Sequence, residues 1–150
     1  MGAVLYYALD RRILTQKLDE AKKEWTKPLE DWEDIIRNEY MPDVKAYLDF
    51  AKQPNLIDHN HAPYNLHIEF QKFKLKYQEH ASQFYNESEP GRIKFNLLRE
   101  KLFEKYPEFA KTLDISKTHY TPSPDIINFR MDMTEIAEII ENLLNLSDWI

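Results

Sequence analysis

Cysteine is absent from the 150 residues, and glycine occurs only twice, at Gly2 and Gly91. The first absence excludes disulfides, thiol nucleophiles and cysteine-based zinc centres. The second excludes phosphate-cradling loops, which need neighbouring glycines so that the backbone can approach the ligand. A glycine-flanked serine on a sharp strand-to-helix turn is excluded on the same ground. No apolar run reaches transmembrane length, so no spanning segment is expected. The short apolar stretch at 3–9 precedes Asp10, Arg11 and Arg12. A secretory signal has the reverse order, with its basic residues first. These features predict a cytoplasmic protein with no membrane segment, and nothing in the sequence calls for a cofactor.

What is present is core material: 43% of residues are hydrophobic and 13% aromatic. A disordered chain has few aromatics, because it cannot bury enough apolar surface to offset ordering entropy. The length suits a single domain with a real core. The net charge of −6 repels phosphate backbones at long range, which disfavours generic nucleic-acid binding.

Helical spacing dominates the apolar pattern, with residues three or four apart sharing a face. Leu14, Leu18, Ala21 and Trp25 define a first helix, with Leu5, Leu9 and Ile13 beside them. Thr26 as a cap and Pro28 in a first turn predict a separate second helix, buried through Leu29, Trp32, Ile36 and Tyr40. Pro42 ends or kinks it, and a third helix carries Val44, Tyr47, Leu48 and Ala51. Residues 54–63 read as a polar loop. Leu66, Phe70, Phe73, Tyr77, His80 and Phe84 form a fourth helical stripe. Ser88, Pro90 and Gly91 predict a turn before a fifth helix with Phe95, Leu98, Leu102 and Tyr106 inward. Ser123 as cap and Pro124 at the first helical position begin the last helix, whose stripe is Ile126, Phe129, Met133, Ile136, Ile140 and Leu143.

The expected fold is therefore all-α, a single domain over 1–150 built as an irregular bundle of five or six helices. An α+β alternative rests on alternation. Leu66, Ile68 and Phe70 alternate with polar residues, as do Phe73, Leu75 and Tyr77, and Ile127, Phe129, Met131 and Met133. That pattern would make a hairpin near 64–78 and a strand near 126–133. The helical stripes are longer, and no turn residues occupy Gln71 and Lys72, so helices are preferred.

Candidate chemistry is sparse. Asp58, His59 and His61 place two imidazoles and a carboxylate in one loop, the raw material of a metal site in a metal-dependent hydrolase. Such a site needs three or four placed ligands, so a plain polar loop is the preferred reading and no metal is expected. Glu30 and Glu33, Asp31 and Asp34, and Glu135 and Glu138 are spaced three apart, as in helical magnesium sites. No second matched pair follows them, and they read as solvated faces. Arg92, Lys94, Arg99, Lys101 and Lys105 give a basic helix near 91–106, the basis of a nucleic-acid-binding alternative. Arg92 and Arg99 also fall within the apolar arc of that helix, which predicts internal ion pairs. Ile68, Leu75, Ile127 and Met131 lie off the core stripes and are the candidate partner-binding residues.

No motif identifies a family. The reading that remains is a non-catalytic protein-binding or regulatory module, contacting another protein or a second copy of itself.

Overall fold

The structure is a computed structural model that describes residues 2–54, 62–113 and 120–147. It is all-α, with no strand among the described residues. The elements are α1 (Gly2–Ile35), a five-residue π turn (Ile36–Tyr40), α2 (Met41–Ala51), α3 (Ala62–Lys105), α4 (Pro107–Thr112) and α5 (Pro124–Ser147). The alternating segments at 64–78 and 126–133 are helical throughout, so the hairpin alternative does not hold.

This partition differs from the expected five or six helices at two prolines. Helix α1 runs through Pro28 and α3 runs through Pro90. Each proline removes one backbone hydrogen bond. Unbroken stripes offset that cost. Leu14, Leu18, Ala21, Trp25, Leu29, Trp32, Ile36 and Tyr40 follow one another at three- or four-residue spacing, and all are buried. Ending the helix at Thr26 would turn half of that stripe away from its partners. The third expected break, at Pro42, becomes the π turn. The Met41 N–H reaches back to the Ile36 carbonyl, and Pro42 then sits in the first turn of α2, where its missing N–H costs little.

The chain forms two compact units. One comprises Met1–Asp31 and Gln83–Thr121, and holds most of α1, the second half of α3, and α4. Its core is Leu14, Leu18, Ala21, Trp25, Leu29, Phe95, Leu102, Tyr106 and Ala110. Trp25 and Phe95 pack with ring centroids 5.6 Å apart. Helix α3 meets α1 backbone to backbone at Gly91, where a Cβ would lie 2.3 Å from the Trp25 nitrogen. The Arg11 guanidinium lies 4.7 Å from the Phe109 ring centroid, a cation–π contact that ties α4 to α1.

The other unit comprises Trp32–Ser82 and Pro122–Ile150. It contains the end of α1, the π turn, α2, the first half of α3, and α5. Its buried side chains include Trp32, Ile36, Tyr40, Val44, Phe70, Ile126, Phe129, Ile136 and Ile140. Aromatic rings link the helices: Trp32 to Tyr77 at 5.2 Å, Tyr40 to Phe73 at 5.2 Å, and Tyr77 to Phe129 at 5.5 Å. No helix among the described residues is long and apolar enough to cross a membrane.

Candidate functional site

Asp58, His59 and His61 lie outside the described residues. Among the described residues, no three His, Cys, Asp or Glu side chains gather as a metal site. Four of the six paired carboxylates, Asp31, Glu33, Asp34 and Glu135, make ion pairs. Lys27 donates to Asp31 at 2.7 Å, and Lys52 pairs with Glu135 at 3.0 Å. Glu33 is buried, against the expectation of a solvated face.

Glu33 is the hub of a polar network that joins the π turn to the start of α5. The Ser123 hydroxyl donates to Glu33 at 3.0 Å, and the Ser123 backbone N–H points to the same carboxylate at 3.4 Å. Arg37 donates through Nη2 to Glu33 at 3.1 Å and through Nε to Asp125 at 2.7 Å. The hydrogen bond from Arg37 holds the Asp125 carboxyl below its ordinary range and raises the guanidinium above its own. The Ser123–Pro124 start of α5 stands as expected, but the serine side chain serves Glu33 from the neighbouring helix.

The basic stretch at 91–105 is partly neutralised. Lys94 pairs with Glu24 at 3.1 Å, Lys105 approaches Asp10 at 3.9 Å, and Arg92 pairs with Glu89 one turn back. Arg92 is thus in a surface pair within its own helix, not an internal one. Arg99 is half-buried and has no carboxylate partner among the described residues, so its expected internal ion pair is not formed there. A long side chain can pack its alkyl stem and still carry its charge to water.

The apolar candidates separate. Ile127 and Met131 stand one turn apart on α5 and are 43% and 64% exposed. Leu75 on α3 is 59% exposed, whereas Ile68 is only half-exposed. The opposite side of α5 buries Ile126, Phe129 and Met133.

One feature escaped the sequence reading. A cleft of about 530 Å³ lies between α2 and the first turns of α3, lined by Asp43, Ala46, Tyr47, Phe50, Ala62, Asn65, Leu66 and Glu69. Its residues come from two helices separated by a loop, and no spacing rule within either helix connects them. Tyr47 is fixed by packing against Phe70 and Phe73, with centroids 5.6 Å away in each case. Burial first, then the nearby Glu69 and Asp43, pushes its phenol pKa up.

No protein-family model, curated protein or solved structure matches the chain.

Proposed function

We propose that the chain is a non-catalytic protein-binding or regulatory module, with the outer face of α5 as part of its contact surface. The observation that carries this reading is the exposure of Ile127 and Met131 as adjacent apolar side chains on a helix already anchored by its other face. An apolar patch left in water is unfavourable and commonly marks a partner or self-association site.

The test is the double variant Ile127→Lys, Met131→Lys. It should melt like the wild type, within about 1 kcal/mol as for surface substitutions. It should also lose any self-association seen by light scattering, or any partner cross-linked to the wild type in its native host. A variant that unfolds would place both residues in the core and remove the support for this face.

A further inference from the structure

The cleft between α2 and α3 has a definite chemical character. Its walls are apolar and aromatic: Tyr47, Phe50, Ala46, Ala62 and Leu66. Among the described residues, its charged lining groups are two carboxylates, Asp43 and Glu69. Neither has an ion-pair partner among the described residues. Among the described residues, no lysine, arginine or histidine lines the space. Its volume, about 530 Å³, falls in the range of small-ligand sites, roughly 300–1,000 Å³.

Two carboxylates beside aromatic rings repel anions and attract cations. A bare metal ion is a poor match, because the described lining offers two carboxylates and the Asn65 amide, and the remaining side chains are apolar or aromatic. An organic cation uses most of the described lining. Its charge meets the carboxylates and the ring faces, and its hydrocarbon stem meets Leu66 and the alanines.

We infer that this cleft is a binding site for an organic cation, a protonated amine or a guanidinium carried on a short apolar stem. Asp43 and Glu69 bind the charge, and Tyr47 and Phe50 enclose it. Two sources supply that chemistry: a free small amine, and a lysine or arginine side chain presented by another chain. The inference is independent of the α5 face, which lies on other residues.

The test is a nuclear magnetic resonance titration of isotopically labelled full-length protein. The probes are n-butylammonium, agmatine and a blocked short peptide with a single central arginine. n-Butanol and the same peptide with citrulline are the neutral controls. Saturable shifts are expected at the amides of Tyr47, Phe50, Asn65 and Leu66 with the cations and not with the neutral controls. The Asp43→Asn, Glu69→Gln variant should bind about tenfold more weakly or worse, which corresponds to about 1.4 kcal/mol. Tighter saturation by the peptide assigns the cation to a partner chain, and equal or tighter saturation by the free amines assigns it to a small molecule. The inference is overturned if no cation gives saturable shifts, if the neutral controls bind as well, or if the folded double variant binds like the wild type. If that variant does not fold, the cation-against-neutral comparison on the wild type decides alone.

Discussion

At Gly91 the backbones of α3 and α1 touch. A Cβ there would sit 2.3 Å from the Trp25 nitrogen and 2.6 Å from the Glu24 carbonyl carbon, both backbone atoms that cannot rotate away. Gly91→Ala therefore gains helix propensity but must separate two packed helices. The net effect expected is a destabilisation of roughly 1–3 kcal/mol by urea unfolding, as for overpacked cores. Equal or greater stability would mean that α1 moves aside freely. Tyr40 makes a second residue-scale case. Its hydroxyl shares a 2.7 Å hydrogen bond with His80 Nδ1, and burial first of all pushes its pKa from 10.0 up to about 12. Folding thus favours the protonated phenol. Its contribution is intact below pH 10.0 and is lost as pH rises towards about 12. Tyr106, which donates to Asp10, behaves alike. Tyr40→Phe should be less stable at neutral pH by about 1 kcal/mol for the lost hydrogen bond. It should also lose less stability than the wild type between neutral and alkaline pH, which thermal melts across that range would show.

At the scale of the element, the apolar stripes were legible and the boundaries were not. The stripe of α3 reads Leu66, Phe70, Phe73, Tyr77, His80, Phe84, Ser88, Gly91, Phe95, Leu98 and Leu102, unbroken at three- or four-residue spacing, and Tyr106 continues it just past the helix end. Ser88 and Gly91 looked like turn residues because they are small and flank a proline. They are instead the buried members of the stripe where another helix comes close. Helix-breaking propensity was the weaker signal, and continuity of the apolar face was the stronger one. The Glu33–Arg37–Asp125 network was hidden for a different reason: Glu33 and Arg37 share a helical spacing, but their partners Ser123 and Asp125 lie 90 and 88 residues away at the start of α5. Its consequence is a pH dependence at the junction of the π turn and α5. Asp125 is held below its ordinary value of 3.8 first by the hydrogen bond from Arg37. The stability it contributes is present above that value and is lost as pH falls through and below it. Wild-type melting temperature should therefore drop between about pH 5 and pH 3 by more than that of Asp125→Asn. Parallel curves for the two proteins would show that the pair adds nothing, as many exposed pairs do.

Across the whole molecule, charge decides which large partners can approach. The chain carries −6 at neutral pH, and the basic stretch at 91–105 is not a free electrostatic stripe. Of its five cations, Arg92, Lys94 and Lys105 face Glu89, Glu24 and Asp10. A phosphate backbone would have to displace those carboxylates and overcome the long-range repulsion of the remaining acidic surface. Affinity for duplex DNA arises largely from counterion release by unpaired lysines and arginines, with a steep dependence on salt. The protein is therefore expected to pass through a heparin column near physiological ionic strength and to leave duplex and single-stranded DNA unshifted in gel assays. Replacing Glu24 and Glu89 with Gln frees Lys94 and Arg92, and should increase heparin retention without changing the fold. If the wild type is retained and elutes only as salt is raised, residues 91–105 form a working phosphate-binding surface in spite of their ion pairs. If neither protein is retained, the charge of the whole molecule outweighs the local cations, and the partner is to be sought at the apolar face of α5.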